Sequence, residues 1–535
     1  MNNHKNQFGN SLILGQGNLT LQEVVQVAQG TRSVALSSDA KVRTKINQSF
    51  DIIQSAIDDG SLIYGVNSGF GGMADIRIDA ENIEALQENL IHFTHAGTGK
   101  LLSKEDTRAA MLIRAHSHSY GSSGIRAEFI ERLIDMLNLH ATPHVYEYGS
   151  IGASGDLVPL SHVAGAMTGL SNAFTMDLNG QSVDAISGLA QLGLPRLKLK
   201  GKEGLAMING TSFSSAIAVN NMHKIGKLIE HVLWFHGAVM QGMQANTEFL
   251  HPYVHQVKPH KGQLDVASRL RKIVDGSLLL RQSEYQSHEL AQDRYSLRCA
   301  CQYLAPIIEG FEHIEKQVVQ EINSVTDNPI IDSVNNTIIH GGNFLAQHIG
   351  IGMDHVRQYI GLMAKHIDSQ IALMVHPEFS NGLPKSLVGN TQKNINMGLK
   401  GLQICANSMM PRLTFLGNTY CDHYATHAEQ FNQNINSFGS AMLARESIDI
   451  FQRYLAIASI FAVQAIDLRT YKMFGHYIGY ETIAPATREF YSNVYQTLGK
   501  ELDENKPLIY DDDQQSLTEY IEKLYAALSD RLSQI

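Results

Sequence analysis

The feature that most constrains how this chain of 535 residues can fold is where it has no proline. None occurs between Pro195 and Pro252, between Pro329 and Pro377, or between Pro411 and Pro485. A proline inside a helix costs about 3 kcal/mol, so spans of this length admit long helices. Ile351, His355, Tyr359, Leu362, Met363 and Ile367 recur at helical spacing, as do Ile448, Phe451, Leu455, Ala458, Phe461, Ala462 and Ala465. Both segments are apolar around much of their circumference, as in the centre of a bundle or an oligomer contact. Nearer the N-terminus, Thr20 with Glu23 three residues on reads as a helix start. Phe129, Ile130, Leu133, Ile134 and Leu137 share a helical face, and residues 79 to 95 read as a helix broken by Ala96-Gly97-Thr98-Gly99. The region around 173 to 200 is the most β-like, and a last helix spans Ser516 to Leu532. These patterns predict a mainly α protein: an N-terminal domain over 1–200 with a few short strands, and a long-helix body over 201–535.

Composition removes several function classes. The net charge of −10 shows no dominant basic surface for nucleic acid or anionic membrane. The N-terminal residues are polar, unlike a signal peptide, and no run of 18 apolar residues predicts a membrane span. Cys299, Cys301, Cys405 and Cys421 are too few to staple the chain and predict reduced thiols in a cytoplasmic protein. Cys299-Ala300-Cys301 is not a C-x-x-C pair, and the 24 histidines include no H-E-x-x-H; His92 and His95 make two ligands at most. No metal site is expected.

The chemistry concentrates in Gly149-Ser150-Ile151-Gly152-Ala153-Ser154-Gly155-Asp156-Leu157. Small residues let the backbone turn back on itself. The amide nitrogen of Gly155 can then attack the carbonyl carbon of Ala153. Loss of water closes a five-membered ring, and a second loss from Ser154 leaves an exocyclic methylene, an electrophile made from protein alone. Standard side chains provide no strong electrophile, and such chemistry otherwise needs a cofactor. A serine-hydrolase elbow is excluded, because Ser154 is followed by Gly155-Asp156 and not by x-Gly. A second glycine-rich stretch, Tyr64-Gly65-Val66-Asn67-Ser68-Gly69-Phe70-Gly71-Gly72, lacks G-K-[ST] and is no phosphate loop; it presents a tyrosine.

Gly152-Ala153-Ser154-Gly155-Asp156-Leu157-Val158-Pro159-Leu160-Ser161 resembles the signature of the aromatic amino-acid ammonia-lyases, and the resemblance runs from about Leu19 to Arg469. It implies the aspartase-like long-helix fold, a homotetramer with shared active sites, and 4-methylidene-imidazole-5-one (MIO) formed from Ala153-Ser154-Gly155 without metal. It implies elimination of ammonia from an aromatic L-amino acid to give the α,β-unsaturated acid. Such a reaction needs an electrophile on the amine, a base for the weakly acidic β-hydrogen and a clamp on the carboxylate. Residue by residue, the resemblance implies Tyr64 as the base and Asn209 as support for ring and substrate. In Gln292-Asp293-Arg294-Tyr295-Ser296-Leu297-Arg298 it implies Arg298 as the carboxylate clamp, with Gln292 and Tyr295 lining the site. Asn328 in Thr326-Asp327-Asn328-Pro329 and Phe344 in His340-Gly341-Gly342-Asn343-Phe344 match further pocket segments. Glu429 and Gln433, four apart on a helical face, resemble the phenylalanine and tyrosine lyases, although Asn434 stands where those have aspartate.

Substrate choice is expected from Leu90-Ile91-His92-Phe93-Thr94-His95. Phe93 favours an apolar ring by aromatic packing. Thr94 brings a hydroxyl that is expected to meet a phenol oxygen or ring nitrogen. Tyrosine and phenylalanine therefore rank together above histidine, whose lyase pattern His95 misses by one residue. An aminomutase would use the same residues, and a non-catalytic helical scaffold is the reading from a different class.

Overall fold

The computed structural model describes residues 11–281, 292–422 and 435–533. Glu429, Gln433 and Asn434 lie outside the described residues. The protein is mainly helical with a few short strands, as the sequence predicts. Its contacts separate it into two compact units that interleave along the chain. The first comprises Met1–His223, Ile314–Asp354 and Thr419–Leu443; the second comprises Lys224–His313, His355–Asn418 and Ala444–Ile535.

In the first unit the Leu21–Ala28 helix starts with the capping box expected at Thr20 and Glu23: each residue's side chain accepts from the other's backbone N–H. The Ala127–Asn138 helix buries Phe129, Ile130, Leu133, Ile134 and Leu137. Residues 173–200 yield two strands, Thr175–Leu178 and Gln181–Asp184, before turning helical at Ala185–Gln191. Thr175–Leu178 is the middle of a three-stranded antiparallel sheet with Ala141–Pro143 and Gln181–Asp184. The predicted break at 96–99 leads into a strand, Thr98–Leu101, paired with Tyr146–Tyr148, and the latter delivers the chain to the Gly149–Asp156 loop. Two helices pack this unit from inside: Lys104–Ser119, buried from Asp106 to Ser119, and Leu157–Thr168, buried from Pro159 to Thr168.

The second unit is built from long helices. The stretch of Ser437–Phe474 within it buries Ile448, Phe451, Leu455, Ala458, Phe461, Ala462 and Ala465 completely or nearly so. By length and composition this helix could cross a membrane, but 83% of its apolar window is buried inside the protein, as in a core helix. The Gln347–Met374 helix departs from its predicted face. Met363 and Ile367 are buried, but Ile351 and Leu362 are exposed, and the buried line runs through Met353, Val356, Ile360, Met363, Ile367, Ile371 and Met374. A helix apolar on most sides does not reveal by periodicity which side is covered.

Candidate active site

In the first unit the Ala153-Ser154-Gly155 loop is held by backbone contacts that leave no space for side chains. Gly152 and Gly155 have φ of +70° and +76°, which favour glycine. A Cβ on Gly155 would lie 2.4 Å from the Gly210 carbonyl oxygen, and one on Gly152 would lie 1.8 Å from that of Ile435. The Asp156 N–H donates to the Gly210 oxygen at 2.7 Å, and Asn209 Nδ2 donates to the Ser154 carbonyl oxygen at 2.8 Å. Asn209, which the resemblance assigns to support of the ring, thus bonds the triad directly. Its other amide atom, Oδ1, is buried and has no hydrogen-bond partner among the described residues.

Asp156 closes the loop. Its carboxylate is buried and accepts from Ser150 Oγ, Ser214 N and Ser214 Oγ, each at 2.8 Å. Burial pushes its carboxyl above the usual range, and these hydrogen bonds oppose that rise.

Tyr64 is half-buried, and its Oη accepts from the Gly71 N–H at 3.0 Å. Its own N–H donates to His340 Nε2 at 3.3 Å, which joins the tyrosine loop to the His340-Gly341-Gly342 segment. That segment is tied in turn to Asn328, whose buried Oδ1 accepts from the Gly341 N–H at 2.7 Å. Phe344 follows, half-buried.

Gln87 was not singled out by the sequence, and it joins three of these segments. It lies fully buried in the Ile83–Thr94 helix. Its Nε2 donates to the Gly65 oxygen at 2.8 Å, and its Oε1 accepts from the Leu205 N–H at 2.9 Å. One amide thus links the tyrosine loop, the helix carrying Phe93 and Thr94, and the Glu203–Ile208 helix that leads to Asn209. A glutamine in a helix reads as solvent-facing by default, and its partners lie 22 and 118 residues away.

Phe93 is 58% exposed, with its ring centroid 6.4 Å from that of Phe70. Thr94 corrects an expectation. It is buried, and its hydroxyl donates to the Leu90 carbonyl oxygen of its own helix at 2.6 Å. The proton is committed to the backbone, so Thr94 has a methyl and acceptor lone pairs to offer and no free donor. His95 packs on Phe174 at 4.2 Å and on His162 at 4.4 Å between centroids. Burial, with the neighbouring His95, pulls the His162 imidazole down to about 4, so it is neutral near pH 7. These histidines are packed, as befits a supporting layer behind the Phe93–Thr94 turn.

In the second unit Gln292 is exposed and Tyr295 is 64% exposed; Arg298 is half-buried, its guanidinium carbon 4.9 Å from the Tyr295 ring centroid. The short helix Tyr295–Arg298 is positioned through the Ser296 carbonyl oxygen, which accepts from His366 Nε2 and from Gln370 Nε2, both at 2.7 Å. Asp293, ahead of it, pairs with Arg281 and accepts from the Asn246 N–H at 2.7 Å. A cavity of about 630 Å³ opens beside Tyr295, walled by Tyr303, Pro306, Ile307 and Leu362, with Arg294 and Lys365 at its lining.

The profile of the family described as "Aromatic amino acid lyase" matches residues 19–496. The chain is 51% identical over 531 residues to a phenylalanine ammonia-lyase of Nostoc punctiforme, covering 98% of this chain and 93% of the relative. It is 34% identical to a histidine ammonia-lyase of Caldanaerobacter subterraneus, over 86% and 88%. Among solved structures, the phenylalanine aminomutase of Pantoea agglomerans superposes with a TM-score of 0.88 at 25% identity, covering 98% of this chain and all of that one.

Proposed function

The chain belongs to the aromatic amino acid lyase family and is a carbon–nitrogen lyase, and from that premise we propose that it eliminates ammonia from L-phenylalanine, with L-tyrosine second and L-histidine third. The observation that carries the chemistry is the Ala153-Ser154-Gly155 backbone pinned between Asn209 and Gly210, where Gly155 has no room for a side chain. This arrangement fits the MIO group of the family. The unpartnered Asn209 Oδ1 adds an acceptor beside it. In forming the group, Gly155 N bonds to the Ala153 carbonyl carbon, whose oxygen leaves as water with the amide hydrogens of Gly155 and Ser154. The Ser154 hydroxyl then leaves as a second water with its Cα hydrogen. MIO supplies an electrophile for the substrate amine.

The remaining work falls to ordinary residues. Tyr64 takes the β-proton, and the Gly71 N–H donates to the oxygen that receives it. Arg298 grips the carboxylate through two parallel hydrogen bonds, backed by the Tyr295 ring on which it stacks. The family resemblance gives Asn328, Phe344 and Gln292 roles toward the substrate, and gives the same to Glu429 and Gln433, which lie outside the described residues. The open face around Tyr295 supports a homotetramer in which a neighbouring subunit completes the site.

For the substrate, Phe93 and Phe70 offer an aromatic surface, and the Thr94 proton is already spent on Leu90. With no donor left at Thr94 for a phenol oxygen or ring nitrogen, the aromatic surface of Phe93 and Phe70 suits a phenyl ring best, which favours phenylalanine. The relative at 51% identity carries the same substrate in its name. Comparing kcat/KM for the three L-amino acids tests this: phenylalanine should lead tyrosine by roughly tenfold, the scale of a small pocket difference. A lead for histidine would overturn the ranking.

A further inference from the structure

Behind the triad lies a buried cation to which the established chemistry gives no part. Arg114 sits in the Lys104–Ser119 helix with no exposed surface. Its Nη1 donates to the Thr326 carbonyl oxygen at 2.7 Å. Its Nη2 donates to the Asn209 carbonyl oxygen at 3.1 Å and to that of Ala206. One guanidinium thus fastens the turn that carries Asn209 to the segment that carries Asn328, though these lie more than a hundred residues apart in sequence.

The contact reaches the triad through Gly210. A Cβ on Gly210 would lie 2.0 Å from Arg114 Nη1 and 2.5 Å from the Thr326 oxygen, so the residue must be glycine for the guanidinium to lie where it does. On its other side Gly210 presents its carbonyl to the Asp156 N–H and leaves Gly155 no side-chain space. Arg114, Gly210 and Gly155 therefore form a stack without slack. A second buried pair braces it. Lys202, at the head of the Glu203–Ile208 helix, donates to Asp327 Oδ2 at 2.6 Å, and Asp327 Oδ1 accepts from the Asn328 N–H at 2.7 Å. Two buried cations, Arg114 and Lys202, thus offset two buried carboxylates, Asp156 and Asp327, in one unit. Buried charges are expensive unless paired and hydrogen-bonded, and here both Arg114 Nη atoms and Lys202 Nζ donate to oxygens, while Arg114 Nε has no partner among the described residues.

We propose that Arg114 is a positioning residue for the triad: by bonding the carbonyls of Ala206, Asn209 and Thr326 it presses the Asn209-Gly210 turn against Ala153-Ser154-Gly155 and so enforces the backbone geometry needed for cyclisation. The proposal rests on the ring-forming reading above. A lysine at 114 keeps the charge but ends in a single point that cannot span the three carbonyls. Alanine at 210 keeps Arg114 and drives the turn away from it.

The test follows maturation and not turnover alone. Wild-type, Arg114→Lys and Gly210→Ala chains are made in a cell-free system, checked for helix content by circular dichroism, and sampled over time by intact-mass spectrometry. Wild type is expected to lose two water molecules. Both variants are expected to keep the helical signal but to lose the waters more slowly, on the order of a hundredfold, the effect of a misplacement of about 1 Å. Wild-type chains that never lose water would refute the ring-forming reading itself. If wild type matures and the folded variants mature equally fast, the role given to Arg114 is wrong. Loss of the fold in Arg114→Lys would also overturn it, since the residue would then hold the unit together and not the triad.

Discussion

The surroundings of Ser154 and the 451–470 stretch of the Ser437–Phe474 helix are both largely buried, and they are held by different means. Around the triad the shell is polar and charged: Asn209, Asp156, Gln87, Arg114, Lys202 and Asp327 are joined by hydrogen bonds of 2.6–3.1 Å, and glycines stand where backbones touch. Along the helix the buried residues Ile448, Phe451, Leu455, Ala458, Phe461, Ala462 and Ala465 are apolar, and their contacts are the non-directional ones of a core. Apolar packing stabilises in proportion to area and tolerates small shifts of backbone. Hydrogen bonds to buried carbonyls lose most of their value when a geometry drifts. The polar shell therefore serves position, and the helix serves stability.

That division predicts separable effects. The largest is expected from Tyr64→Phe, which removes the base and should lower kcat by about 10²–10⁴-fold while leaving KM and the melting temperature nearly unchanged. Full turnover in that variant would move the base elsewhere. Next is Phe451→Ala in the apolar helix, whose fully buried ring makes a loss of about 3–5 kcal/mol the expected result. Urea unfolding measures it, and the chains that remain folded should turn over at the wild-type rate. A fall in kcat with unchanged stability would break the comparison.

A third effect sharpens it through one of the buried polar residues of that helix. Asp467 is buried and accepts from Tyr491 Oη, from Tyr495 Oη at 2.6 Å and from the Leu508 N–H at 2.8 Å. Burial raises its carboxyl to about 7, against those hydrogen bonds. Between about pH 4, where the unfolded chain gives up this proton, and about pH 7, the native state still holds it. Its contribution to stability is thus complete below that window and is lost as pH rises through it, at up to about 1.4 kcal/mol per pH unit. Asp467→Asn should remove this slope from the urea midpoints measured between pH 4 and 8. An unchanged slope would show that the proton resides on another group.

Much of this was legible in the sequence. The proline-free spans mark the long helices, the capping box marks the first one, and the small-residue loop marks the triad, because each signal lies in neighbouring residues. What the sequence hides depends on distant partners or on rotamers. Gln87 and Arg114 look like ordinary helix residues until the segments they bond, up to 212 residues away, are placed beside them. The Thr94 hydroxyl reads as a donor for substrate, and its turn back to Leu90 is a rotamer choice that no spacing reveals. The covered face of Gln347–Met374 shifts from the predicted stripe because apolar residues surround most of that helix. Likewise, the interleaving of the two units is a property of contacts and leaves no mark of composition at its boundaries.

Ala153-Ser154-Gly155 is proposed to become an electrophile through its own backbone. Intact-mass measurement of the purified active protein tests it most directly, with Ser154→Ala as the comparison. The account predicts a wild-type chain lighter than its sequence by two water molecules, and a Ser154→Ala chain that keeps its helix content but loses the second dehydration and its turnover. An active wild-type chain with the full unmodified mass would contradict it.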